Sequence, residues 1–267
     1  MCENEAWCQP VTSVASNEVF AFMNGCQKEV WSTFDWNKLT TLAVSDCTDP
    51  ELICFAHQHN VRVVLFGTCP TDYLLNATAR EAWIQEKLDL VQKHNLDGYN
   101  IDFEDAIEKN SSLVAGLTSF ANETAEKFHK AIPSSQVTFD IAWSPPGVDG
   151  RWYDYFQLSQ IMDFLFVMSY DEQSQIFDSE CTARANSGIR KTEEGLVKYI
   201  DLGITPEKLV LGVPWYGYNY PCINMTEDPA SRNTQQIWYD DPESLADKYD
   251  LAVRYNLRGV GMWSAEQ

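Results

Sequence analysis

Eight short runs rich in β-branched and aromatic residues recur along the 267-residue chain, at 18–23, 40–44, 61–66, 98–103, 136–143, 162–168, 208–213 and 258–263. Between several of them lie stretches with apolar positions at three-to-four spacing, notably 49–60, 80–95, 111–131, 192–202 and 242–256, the period of an amphipathic helix. Strands that alternate with helices build parallel sheets, and eight such units in about 250 residues predict a closed (β/α)8 barrel. The competing arrangement, a doubly wound open sheet, uses fewer strands. With 45% hydrophobic residues the chain can enclose one large core, so 1–267 reads as a single domain. The connection 219–239 is polar and loop-like, and no helical stretch follows the last strand within this sequence. That leaves the eighth helix unaccounted for and predicts apolar surface between the first and seventh helices.

The segment from Asp97 to Glu104 carries the chemistry. In a strand, side chains alternate faces, so Asn100, Asp102 and Glu104 share one face while Tyr99, Ile101 and Phe103 share the other. The neighbouring strands are apolar on both faces. Placing adjacent carboxylates inside such a barrel costs several kcal/mol unless they are hydrogen-bonded or neutralised, which points to function. Two carboxylates one strand repeat apart cannot both ionise freely, so one retains a proton towards neutral pH and can act as a general acid. Glu104 lies nearest the carboxyl end of the strand, where barrel enzymes bind substrate, and is expected to be the donor with Asp102 its partner. On the sixth strand Met168 and Tyr170 share a face and Asp171 begins the loop. Trp215, Tyr216 and Trp263 end the seventh and eighth strands and can offer flat platforms to sugar rings. Asp140 is a further polar residue on the fifth strand.

Charge and cysteine usage bound the partners. Nineteen Lys and Arg against 39 Asp and Glu give a net charge of -20, a field that repels nucleic acid and anionic membranes. The eight cysteines show no metal-type pairing and the histidines form no HExxH motif, so neither a metal nor another cofactor is expected. A carboxylate-metal site on Asp102, Glu104 and Asp105 is disfavoured because Asp105 points to the other face. N-x-S/T sequons at Asn76, Asn110, Asn122 and Asn224, with the even cysteine count, predict passage through an oxidising, glycosylating pathway. No apolar leader is visible in residues 1–20 and no stretch reaches membrane-spanning length.

These residues carry a resemblance. Asp97-Gly-Tyr-Asn-Ile-Asp-Phe-Glu104 resembles the DxxDxDxE signature of glycoside hydrolase family 18, the chitinase family, and Met168-x-Tyr170-Asp171 resembles its sixth-strand motif. The similarity covers roughly residues 18–264. The resemblance implies substrate-assisted catalysis with retention of configuration. Glu104 would protonate the glycosidic oxygen, and the 2-acetamido oxygen of the substrate would close on the anomeric carbon. Asp102 would orient the acetamide N–H, Tyr170 would hold its carbonyl, Asp97 would support Asp102 from below, and Trp263 would floor the sugar site. Asn100 stands where most chitinases have Asp, and the third strand ends Leu65-Phe-Gly-Thr-Cys69 rather than in the family's common Ser-Gly-Gly pattern. The substrate so implied is an N-acetylglucosamine oligosaccharide, the GlcNAc-β1,4-GlcNAc core of asparagine-linked glycans, cut in lysosomes; secretion is the alternative location, and a monomer is expected. Family members that bind sugar as lectins without turnover usually lack the acid matching Glu104, so its presence points to catalysis.

Overall fold

A computed structural model describes residues 2–145, 147–172, 183–221 and 235–267. Eight parallel strands close into a barrel: β1 (Glu18–Asn24), β2 (Thr41–Ser45), β3 (Arg62–Gly67), β4 (Gly98–Ile101), β5 (Gln136–Ala142), β6 (Leu165–Met168), β7 (Leu209–Pro214) and β10 (Gly259–Trp263). Neighbours pair in sequence order from β1 to β7, and β10 closes the ring between β7 and β1. Every residue of β5, β6 and β7 is buried, as expected of strands covered on one face by helices and on the other by the barrel interior. All eight predicted runs thus fall on barrel strands.

The helices are α1 (Lys28–Trp31), α2 (Pro50–Gln58), α3 (Ala77–His94), α4 (Ser112–Ala131), α5 (Tyr155–Ile161), α6 (Ile189–Asp201) and α7 (Pro242–Arg254). Their starts follow from local chemistry. Asp49, Asn76, Ser111, Asp154 and Asp241 each accept a first-turn backbone N–H, and Pro50 and Pro242 occupy the first turn, where a missing N–H costs nothing. The connection read as a loop differs from expectation. It carries a two-stranded antiparallel pair, β8 (Tyr218–Pro221) and β9 (Gln235–Trp238), lying outside the barrel. Among the described residues no helix is long and apolar enough to cross a membrane.

Two packed layers result. Outside the barrel, strand and helix side chains meet in one large cluster that includes Trp31, Trp83, Phe120, Phe128 and Tyr199. Inside it, Phe20, Phe22, Phe164 and Phe166 fill the centre with rings at 5.0–5.7 Å, mostly edge to face. Phe166 needs the glycines beside it: a Cβ on Gly212 would stand 2.3 Å from its ring, and one on Gly261 2.5 Å. Met168, Tyr170, Tyr216 and Trp263 lie on this plug and continue it towards the carboxyl ends of the strands. Disulfides join Cys2 to Cys54 and Cys26 to Cys47, while Cys8 and Cys69 are free thiols; Cys181 and Cys222 lie outside the described residues.

Candidate active site

β4 ends at Ile101, and the carboxylates extend beyond it in the same alternation. Tyr99, Ile101 and Phe103 are buried against the helices, whereas Asn100 is fully buried, Asp102 half-buried and Glu104 exposed. The polar face therefore climbs from the barrel centre to its mouth. The Asp102 N–H donates to the Gly67 carbonyl at 2.9 Å, which extends the β3–β4 ladder and fixes where its side chain emerges. Asn100 Nδ2 donates to Asp140 Oδ2 at 2.6 Å, and Thr138 Oγ1 donates to Asn100 Oδ1 at 2.6 Å, locking the amide from the β5 side. Asp102 and Asp140 each keep one buried carboxyl oxygen with no partner. Burial, with the nearby charge of Glu104, pushes the Asp102 carboxyl up to about 7. Asp140, deeper still, is driven well above the usual carboxylate range by burial and by Asp102. The inner pair thus retains protons towards neutral pH.

Glu104 differs from the expectation of a protonated side chain inside a dehydrated pocket. Its carboxylate is about half exposed and accepts from Arg151 Nη2 at 2.5 Å, while Arg151 Nε donates to the Glu104 carbonyl at 3.0 Å. In this state the retained proton belongs to Asp102 and Asp140, one and two steps further in. Asp105 turns away, its carboxylate accepting from the Thr71 hydroxyl.

The facing wall comes from β6, β7 and β10. Tyr170 is 8% exposed, and burial holds its phenol well above its ordinary range, with the charges of Asp140, Asp102 and Glu104 adding to the shift. The hydroxyl therefore remains a donor at every physiological pH. Asp171, with φ +49°, accepts from Tyr216 Oη at 2.6 Å and also from Tyr218, so one carboxylate gathers two rim tyrosines. Trp263 packs on Phe22 and Phe66 with ring centroids 5.1 and 5.8 Å away. Met168 lies in the same cluster. Trp215 does not: its indole Nε1 reaches Tyr249 Oη on α7 at 3.4 Å, and the ring is 42% exposed. It flanks the barrel instead of joining Tyr170 and Trp263, because β7 ends at Pro214 and successive residues there face opposite ways.

Asp97 also departs from its expected role. At about 3.3 Å per residue, the five steps from Asp97 to Asp102 span roughly 16 Å, beyond any side-chain contact. Its buried carboxylate instead accepts from the Val11 N–H at 2.6 Å, the Val63 N–H at 2.6 Å and His57 Nε2 at 2.8 Å. Burial alone would lower the His57 pKa, but the hydrogen bond and charge of Asp97 outweigh it and hold the imidazole above its ordinary value. Asp97 fastens the base of the barrel. Of the sequons, Asn76 and Asn110 are exposed, Asn122 is half-buried on α4 and bonded to Glu126 at 3.0 Å, and Asn224 lies outside the described residues.

Arg151 and Thr138 join the site without having been singled out in the sequence. Arg151 sits in a loop 47 positions from Glu104, and no motif or spacing in the sequence joins the two. Thr138 could have been found, since it lies two places before Asp140 on the same strand face.

Comparison with known proteins fits this geometry. The profile described as Glycosyl hydrolases family 18 matches residues 19–267. Di-N-acetylchitobiase of Mus musculus is 38% identical over 318 aligned positions, covering 99% of this chain and 86% of the relative. The Homo sapiens protein of the same name is 37% identical, covering 99% and 82%. An alignment of 318 positions over 267 residues means that the mouse relative carries at least 51 positions inside the matched span that this chain lacks (318 − 267). Among solved structures, the GH18 chitinase from Cycas revoluta in complex with (GlcNAc)3 superposes with a TM-score of 0.75 at 16% identity, covering 93% of this chain and 95% of that one. A class V chitinase from Nicotiana tobaccum gives 0.74 at 17%, covering 94% and 95%. The first pair of matches establishes kinship and the second the barrel fold: this chain is a glycoside hydrolase and belongs to family 18.

Proposed function

We propose that the enzyme hydrolyses the β1,4 bond between two N-acetylglucosamine residues, the chitobiose unit at the base of asparagine-linked glycans, by substrate-assisted catalysis with retention. The observation that carries this reading is the rising series Asp140, Asp102 and Glu104, two members of which hold protons towards neutral pH, opposite a neutral Tyr170 and the Trp263 ring. Glu104, once it takes a proton from Asp102, donates it to the glycosidic oxygen. The acetamido oxygen of the sugar attacks the anomeric carbon as that bond breaks. Asp102 accepts from the acetamide N–H, which raises the nucleophilicity of its carbonyl, and the Tyr170 hydroxyl orients that carbonyl. Glu104, now a carboxylate, takes a proton from water as the water oxygen bonds to the anomeric carbon and the acetamido oxygen leaves it. An ordinary retaining enzyme would need a second carboxylate about 5 Å from the acid as nucleophile; here Asp102 and Asp140 are better suited to hold protons than to attack.

The named relatives support chitobiose as substrate, and the sequons and disulfides support passage through an oxidising, glycosylating pathway, the route to the lysosome or the cell exterior. The experiment is incubation of purified protein with di-N-acetylchitobiose at pH 4–8, reading free N-acetylglucosamine. Glu104→Gln should lower kcat by about 10²-fold or more, since the amide preserves shape and cannot donate the proton. Wild-type-like turnover by that variant, or binding without release by the native protein, overturns the reading.

A further inference from the structure

We infer that Arg151 is the positioning residue for the catalytic acid: it receives the Glu104 carboxylate whenever that group is ionised, both in the resting enzyme and after proton donation. The inference rests on the reading of Glu104 as donor and adds the residue that governs where its charge goes.

The geometry is a two-point hold. Nη2 reaches Oε2 of Glu104 at 2.5 Å and Nε reaches its backbone carbonyl at 3.0 Å, so the guanidinium fixes the carboxylate relative to the very peptide that carries it. Arg151 is itself held. Its N–H donates to the Val148 carbonyl at 2.9 Å, its carbonyl accepts from Tyr155 Oη at 2.8 Å, and flanking bonds join Gly150 and Trp152 to Ile107 at 3.0 and 3.2 Å. The side chain is only 12% exposed, which limits screening of the pair by water. A surface ion pair of two loose side chains has none of these constraints.

The charges acting on Asp102 show what the cation does. Glu104 lies on its own segment and Asp140 on β5, with the neutral Tyr170 beyond β6, and among the described residues the positive group bearing on both Asp102 and Asp140 is Arg151. Arg151 opposes their upward shift. It therefore draws negative charge outward to Glu104 while burial keeps the proton inside, and proton donation becomes an outward shift of one proton along Asp102 and Glu104. When Glu104 gives up that proton to the leaving group, the carboxylate that forms already has its partner in place.

The test compares native protein with Arg151→Met and Arg151→Lys. With di-N-acetylchitobiose, Arg151→Met should lower kcat about 10-fold or more with KM changed less than about threefold, and the alkaline limb of the pH–rate profile should move upward by about one unit, the size of shift one nearby charge gives. Arg151→Lys should restore the limb but only part of kcat, because an ammonium cannot span both oxygens. In parallel, carbon-13 NMR of Asp-labelled protein reads the carboxyl titrations whatever the substrate proves to be. The aspartate titrating near neutral pH should move upward in the Met variant and return in the Lys variant. An unmoved titration and limb, with or without loss of turnover, overturns the inference. Failure of the native protein to release N-acetylglucosamine, with the NMR shift present, overturns the substrate reading alone.

Discussion

A carboxyl group becomes an acid catalyst through its surroundings, and here three carboxyls acquire three characters from their depth and from the charges beside them. Asp140, at 2% exposure, cannot ionise cheaply; Asp102, half-buried, sits near neutrality; Glu104 at the mouth pairs with Arg151. Asn100 explains why the innermost position holds an amide. A third carboxylate between Asp140 and Asp102 would add charge where desolvation is greatest, whereas the amide donates to Asp140 and accepts from Thr138, filling two roles without charge. Tyr170 supplies the opposing donor. Its ring packs with Tyr216 at 6.2 Å, so deletion of the hydroxyl alone leaves packing intact. Tyr170→Phe should lower kcat on di-N-acetylchitobiose about 10²-fold, the worth of one well-placed donor to a developing charge, with the melting temperature nearly unchanged. A loss below about twofold would show that the acetamido carbonyl is held by something else.

Elements place these residues, and β4 does most of the placing. It is anchored at its base by Asp97, which ties the strand to β3 through Val63, to α2 through His57 and to the N-terminal segment through Val11. Asp97→Ala would strand three buried donors and should destabilise the protein by roughly 3 kcal/mol or more, measured by urea unfolding. Molecules that remain folded should keep their KM. Unchanged stability with collapsed turnover would instead place Asp97 in the chemistry. The barrel strands were legible in the sequence because parallel strands buried on both faces read as uninterrupted apolar runs, and Glu104, Asp102 and Tyr170 were legible because polar residues at period two interrupt them. The rest was hidden for physical reasons. β8 and β9 alternate Tyr and Asn or expose every residue, which gives no buried face to detect. α5 is seven residues long, two turns, too short for a period. Arg151 meets Glu104 only through closure of the β5–α5 loop, and the partners of Asp97, which shares a motif with Asp102 while lying at the opposite end of the strand, come from Val11, His57 and Val63, which no motif in the sequence joins to it.

At the scale of the whole molecule, the buried carboxyls and the two aspartate-paired histidines pull stability in one direction, while the lysines that burial lowers, Lys208 and Lys248, act the other way. Asp102 is pushed up to about 7, as is Glu172, whose carboxylate accepts from the Gly188 N–H at 2.7 Å and Thr192 Oγ1 at 2.8 Å but pays more in desolvation; Asp140 is raised further. A carboxyl raised on folding keeps a proton that the unfolded chain has already released, so its contribution is present at acid pH and is lost as pH rises from about 4 to about 7. His57 and His129, both raised by aspartate partners against the pull of burial, add stability that is full below their ordinary value of 6.5 and disappears as pH climbs through their folded values. Glu194 and Asp241 are lowered and act the other way, but both are fully exposed and count for little. The net charge of -20 adds self-repulsion that acid relieves. The melting temperature should therefore be higher at pH 5 than at pH 8 by about 5 °C, what roughly 2 kcal/mol is worth in a chain of this length. Asp102→Asn, which cannot ionise, should flatten the part of that slope between pH 5 and 7 and leave the histidine part above it. Calorimetry across pH 5–8 reads both. A melting temperature that rose with pH would mean that the inner carboxyls are ionised in the folded protein, and the proton on which catalysis depends would have to come from elsewhere.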